Sequence, residues 1–332
     1  MRTTLVALLA FALGALAMWL VPGRRAVSPT VHVASTAIHA AAAASGASQD
    51  SEVPPPAPGD DWPEQAPTPE QVLYAQPKLL RSALATLGPR VPGEPNLYLL
   101  AFAGDGGEDV FHNEAEYAAT LFTRHFGPSA HALVLENHPA TLGTRPLATW
   151  SNLEAALDGL AHVMKPEQDI LLLYLTTHGS EDHSLLVDMD PLPLDQIGAV
   201  DLGGILKARP FKWKVVVVNA CYSGGFVPPL HSAGTLVLTA ARSDRSSFGC
   251  GSDADATYFG RAWLIDALNR TPDFVVAFRQ ASAEIAGWER RDHLLPSEPQ
   301  IDVGTGITAQ LARWREGVRP GPPVPFAPAV AH

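Results

Sequence analysis

At 332 residues with a net charge of −11, the chain has length for about two domains, and its acidity argues against nucleic acid as a partner. Phosphate binding needs clustered Lys and Arg, and the sequence contains no basic run. Two cysteines are too few for a disulfide framework, and no metal-ligand spacing or phosphate loop appears, so neither cofactor nor metal is expected.

Taken in order, the chain opens with Arg2, an unbroken apolar run over residues 5–21, and Pro22-Gly23-Arg24-Arg25. A positive start and the small residues Ala15 and Ala17 fit a secretory signal. The run is also near the lower length for a spanning helix, so residues 1–25 read as a signal peptide or a membrane anchor. Either places the domain in an extracytoplasmic location: periplasmic, secreted, or tethered to the outer side of a membrane. Residues 26–69 are rich in Ala, Ser and Pro, too poor in core formers to offset the entropy of ordering, and are expected to be a disordered linker. Val72, Leu73, Leu79, Leu80 and Leu84 recur at helical spacing, which makes residues 70–87 a docking helix, with an entry loop to residue 95.

From residue 96 to 318 short apolar runs alternate with amphipathic segments. Strands are predicted over 97–103, 130–135, 170–176, 214–218 and 235–239, with a hairpin strand over 185–189 and an edge strand over 300–303. Helices are predicted over 113–126, 151–164, 202–208, 257–268, 274–290 and 307–314. This alternation predicts one α/β domain: three layers, with a mostly parallel central sheet and helices on both faces. The Pro-rich residues 319–332 are expected to be disordered.

Two of these strands end in residues that carry chemistry. The run Ile170-Leu171-Leu172-Leu173-Tyr174-Leu175 stops at Thr177-His178-Gly179-Ser180, and Val215-Val216-Val217-Val218 stops at Asn219-Ala220-Cys221-Tyr222-Ser223-Gly224-Gly225-Phe226. Parallel sheets bind ligands at the carboxyl ends of their strands. A free thiol has a pKa of about 8.5, so a neighbouring imidazole is needed to raise its thiolate fraction or take its proton. Alone, Cys221 is more simply a small buried hydrophobe and His178 one of 12 histidines. As a pair on one sheet edge they fit a nucleophile and its base.

These two blocks, with the downstream Thr239-Ala240-Ala241-Arg242-Ser243-Asp244-Arg245-Ser246-Ser247-Phe248-Gly249-Cys250 and Thr257-Tyr258-Phe259-Gly260-Arg261-Ala262-Trp263, resemble the legumain-type cysteine peptidases, relatives of the caspases. The resemblance spans most of residues 97–304 and implies a caspase-like fold and a protein or peptide substrate. It implies Cys221 as nucleophile, His178 as acid and base, and the amides of Gly179 and Cys221 as oxyanion hole. It also implies substrate-pocket positions: His112, Tyr222, Arg245, Ser246, Ser247 and Arg261. Ser246 and Ser247 match the family, whereas His112, Tyr222 and Arg261 depart from it, so asparagine preference does not carry over. Arg245 and Arg261 instead point to an acidic side chain. Transamidation through the same dyad, and a catalytically silent tethered module, remain open. Asp109 is a candidate to orient His178; Cys250 reads as a buried structural thiol, with a Cys221–Cys250 disulfide possible in an oxidising compartment. Asp105-Gly106-Gly107-Glu108-Asp109 reads as a polar turn rather than a calcium loop, and residues 188–190 as a solvated hairpin.

Overall fold

The computed structural model describes residues 62–251 and 254–329. The expected signal peptide or membrane anchor, and the expected linker through residue 61, lie outside the described residues. The last of the expected linker, residues 62–68, is folded: Trp62 Nε1 donates to Pro67 O at 3.0 Å, and Trp62 and Ala66 pack against Val72, Leu142 and Leu147. Among the described residues, no helix is long and apolar enough to cross a membrane.

Six strands form one sheet in the order β2-β1-β3-β6-β7-β8. They are β1 (Leu97–Ala103), β2 (Ala130–Glu136), β3 (Ile170–Thr176), β6 (Trp213–Asn219), β7 (Thr235–Thr239) and β8 (Gln300–Val303). All neighbours are parallel except β8, which runs antiparallel to β7 at the edge. The alternation of strand side chains divides the core. Leu97, Leu99, Ile170, Leu172, Val215 and Val217 face one layer, and Tyr98, Leu100, Leu171, Leu173, Val216 and Val218 the other. Burial on both faces is why these strands read as continuous apolar runs.

Helices α1 (Pro69–Ala85), α2 (Asp109–His125), α3 (Trp150–Val163), α4 (Ala199–Lys207), α5 (Val227–Leu230), α6 (Phe274–Arg291) and α7 (Ile307–Gly317) cover the sheet. Side chains of α2, α6 and α7 fill one layer with a π-helix at Gly260–Ala267, and those of α3 and α4 fill the other. The 257–268 helix expected from sequence is thus largely a π-helix, a form often found near functional sites. The expected 185–189 strand is shorter: β4 (Ser184–Leu185) pairs with β5 (Ile197–Gly198). Beyond it the Gln196 side chain replaces a ladder, accepting from Val187 N at 3.1 Å and donating to Val187 O at 3.0 Å.

α1 begins with a capping box, Thr68 Oγ1 accepting from Gln71 N at 3.3 Å and Gln71 Oε1 from Thr68 N at 2.9 Å. It buries Val72, Gln76 and Leu80 and leaves Leu73 exposed, contrary to the apolar reading of that position. Gln76 meets Leu147 N and Asn152 Nδ2, both at 2.8 Å, so a polar contact fixes the docking face.

The expectation of a disordered C-terminal tail is corrected. Gly321 N donates to His125 O at 2.8 Å, Tyr117 Oη to Val324 O at 2.8 Å, and Ala329 N to Asn113 Oδ1 at 2.9 Å. Phe326 packs edge-on against Tyr117. The tail therefore lies along α2 from its C-terminal towards its N-terminal end. Proline lacks an amide to satisfy, so an irregular strap of this composition needs only these few anchors.

α1 packs against α3 at Gly159, where an added Cβ would sit 2.4 Å from Leu84 Cδ1. The Gly159→Ala contact with Leu84 is expected to cost up to about 1–3 kcal/mol, offset by about 1 kcal/mol of gained helix propensity, and Leu84→Ala in the same chain is expected to recover part of the contact cost. Urea denaturation of the four members of that cycle measures it; additive losses would contradict the contact.

Candidate active site

The carboxyl ends of β3 and β6 bring His178 and Cys221 to one level. Thr176 pairs with Asn219 in register, and each residue of interest lies two positions further on. Thr177 N donates to Asn219 O at 3.3 Å, extending the alignment past the strands. Gly179 then presses on the next turn: a Cβ there would lie 2.2 Å from Cys221 O and 3.1 Å from Ala220 Cβ. Only glycine allows these two backbones to approach so closely.

A carboxylate backs the imidazole. His178 Nε2 lies 3.5 Å from Asp105 Oδ2, and its ring meets Phe111 edge-on at 5.1 Å. Asp105 follows β1, the neighbour of β3, and its Oδ1 accepts from Gly107 N at 2.8 Å. Asp109, the orienting candidate from sequence, is engaged elsewhere, with His138 Nε2 at 3.0 Å. The supposed solvated hairpin supports this turn: Gly106 N donates to Asp188 O at 3.0 Å and Asp188 N to Gly104 O at 2.8 Å. Burial, then the charges of Asp105 and Asp190, push the Asp188 carboxyl pKa up.

The sulfur is held by the segment after β7. Ser247 N donates to Cys221 Sγ at 3.2 Å, and Ser247 Oγ lies 3.5 Å away. Tyr222 has φ 55° and ψ 16°, a left-handed conformation that a bulky residue adopts only under restraint. Tyr222 N donates to Arg245 O at 2.7 Å, and His183 Nδ1 meets Tyr222 O at 3.2 Å. The second glycine of the turn is explained by that histidine, since a Cβ on Gly225 would strike its ring at 2.2 Å. Cys250 is a second free thiol; burial, then the nearby Cys221, raise its pKa.

Beneath both strand ends lies Glu114 of α2, fully buried. Its Oε2 accepts from Tyr174 Oη, Thr176 Oγ1 and Asn219 Nδ2, each at 2.7 Å. Its Oε1 accepts from Thr257 N at 2.8 Å and Thr257 Oγ1 at 2.7 Å. The Tyr174 hydroxyl pKa is driven well above 10 by burial and by Glu114.

The six pocket positions do not converge. Tyr222, Arg245 and Ser246 line a cavity of about 290 Å³, and Ser247 sits at the sulfur. His112 is buried in an ion pair, Nδ1 to Glu136 Oε2 at 2.9 Å, and stacks on His138 at 4.1 Å. Burial lowers its pKa, but the Glu136 bond and charge outweigh this and raise it above the ordinary histidine value. It lines a separate cavity of about 750 Å³ between α2 and the tail. The Arg261 guanidinium lies 4.6 Å over the Phe326 ring. His112 and Arg261 therefore lie apart from the cavity that Tyr222, Arg245 and Ser246 line. Among the described residues no group of three or more His, Cys, Asp or Glu is placed to hold a metal.

Residues 147–309 match the model of the Peptidase C13 family. Over this segment the chain is similar to the legumain family. The match supports a cysteine peptidase-type function and peptide or protein substrates. No curated protein matches the chain. Among solved structures it is similar to caspase-1 from Spodoptera frugiperda, at 13% identity over 65% of this chain and 88% of that one, with a TM-score of 0.44. The family match begins after Asp105 and Glu114, so neither is implied by it. Glu114 had a legible signal: it sits on the apolar face of α2, in line with Val110, Tyr117 and Leu121. Asp105 and His183 had none beyond lying in turns.

Glu114→Gln is expected to lose the bonds at whichever oxygen becomes the amide, which cannot accept them. Each bond to a charged group contributes about 1.5–3 kcal/mol. Urea denaturation should show that loss, and alkylation of Cys221 by iodoacetamide should slow. An unchanged urea midpoint would contradict the role given to this carboxylate.

Proposed function

We propose that this chain is an endopeptidase in which Cys221 and His178 perform the chemistry. The observation that carries the reading is their common level at adjacent strand ends, with Asp105 behind the imidazole. The Cys221 thiol gives its proton to His178 as Sγ attacks the scissile carbonyl carbon, whose oxygen becomes an oxyanion. The amides of Gly179 and Cys221 are free to receive it, since neither donates to a protein acceptor among the described residues. Fixed donors of this kind commonly contribute several kcal/mol, because they need no reorientation as charge develops. Collapse breaks the C–N bond, His178 protonates the leaving amine, and a thioester remains. Water, deprotonated by His178, then attacks the thioester and releases the acid and the thiol.

An amine in place of water would convert the same thioester into a transpeptidation product, and a silent binding module would form no thioester. The residues 5–21 segment is proposed to export the domain, and N-terminal sequencing of the mature chain separates a cleaved leader from a retained anchor.

A peptidyl acyloxymethyl ketone is expected to label the wild-type chain once, at Cys221, in intact mass spectra. Cys221→Ala should abolish labelling and peptide cleavage, and His178→Ala should lower kcat/KM by about 10²–10⁴-fold, the usual contribution of general acid–base catalysis. Added amines will yield ligated products if the enzyme transfers as well as hydrolyses. Unimpaired cleavage by Cys221→Ala would overturn the reading.

A further inference from the structure

A cavity of about 290 Å³ is lined by Tyr222, Asp244, Arg245, Ser246, Phe248, Leu295 and Pro296. Its lining adjoins the proposed reaction centre along the chain on two sides. Tyr222 directly follows Cys221, and Ser246 and Phe248 flank Ser247, whose amide touches Sγ.

The charge balance within it is uneven. No side-chain nitrogen of Arg245 donates to a protein acceptor among the described residues, and its Nε is buried without a partner. Asp244 Oδ1 stands 4.0 Å from that Nε, outside hydrogen-bond range. Both Asp244 oxygens are taken by Arg242, Nε to Oδ1 at 2.5 Å and Nη2 to Oδ2 at 3.0 Å. Arg242 is engaged in turn by Glu298. Arg245 is thus the lining cation without a hydrogen-bonded counter-ion, among the apolar walls of Tyr222, Phe248, Leu295 and Pro296. Leu295 is 73% exposed, an apolar rim open to a bound chain. A guanidinium in such a setting favours a carboxylate, which matches its planar donor fork and meets less solvent screening there.

We infer that this cavity seats an acidic side chain, Asp or Glu, of a residue flanking the scissile bond, and that Arg245 alone determines the preference. Arg261, paired with it in the sequence reading, faces Phe326 instead. The inference rests on the peptidase reading for its position relative to the cut, but the recognition itself is a binding property.

Two measurements separate the two claims. The full chain is offered matched peptides carrying Glu or Gln, and Asp or Asn, at each position flanking the cut, and kcat/KM is read. The same peptides are titrated against the Cys221→Ala chain by fluorescence anisotropy, where turnover plays no part. The acidic member of one matched pair is expected to be favoured at least about 10-fold, in line with a charge-assisted contact, and the advantage should shrink as salt rises. Arg245→Gln should abolish the ratio and Arg245→Glu reverse it, with circular dichroism confirming that both variants fold. Equal handling of every acidic and amide pair, or a preference that survives Arg245→Glu, overturns the inference. Binding selectivity in the absence of any cleavage would uphold the cavity and refute the peptidase reading.

Discussion

A single buried carboxylate sets the geometry on which the rest of this structure depends. Glu114 reaches from α2 under the sheet and accepts hydrogen bonds from β3, from β6 and from the residue that leads into the π-helix. A charge in this position would be costly to bury unless its lone pairs were occupied, and here five donors occupy them. The exchange ties Thr176 and Asn219 to one point, two residues before His178 and Cys221. Gly260 completes the arrangement, because a Cβ there would lie 2.0 Å from Glu114 Oε1.

From that anchor the site is built mainly by backbone. The parallel register sets imidazole and thiol level, and Gly179 lets the two turns touch. The left-handed Tyr222 re-aims the chain immediately after Cys221, a conformation that costs of order 1–3 kcal/mol and persists only when its surroundings hold it. Arg245 O and His183 provide that hold. Groups fixed in this way need little rearrangement when charge develops at the reacting carbonyl.

The strands were legible because both sheet faces are buried, which leaves uninterrupted apolar runs such as 170–175 and 215–218 with few competing readings. Strand-end placement of His178 and Cys221 followed from the same runs. What was not legible depended on distant partners. Asp105 and Asp109 sit four positions apart in one polar turn, and only the fold decides that the first meets His178 and the second His138. His112 and Arg261 read as pocket residues until Glu136 and Phe326 claim them. The tail's composition argued for disorder, yet anchors such as Tyr117 and Asn113, far away in sequence, hold it down.

The central claim is that Cys221 and His178 address one carbonyl, with Gly179 and Cys221 amides around its oxygen. A crystal structure of the chain reacted with a peptidyl aldehyde tests this most directly. The expected adduct is a thiohemiacetal on Cys221 Sγ, with its oxygen within hydrogen-bond distance of both amides and the His178 ring facing the reacted carbon. An adduct on Cys250, or an oxygen turned away from both amides with His178 out of reach, would contradict it.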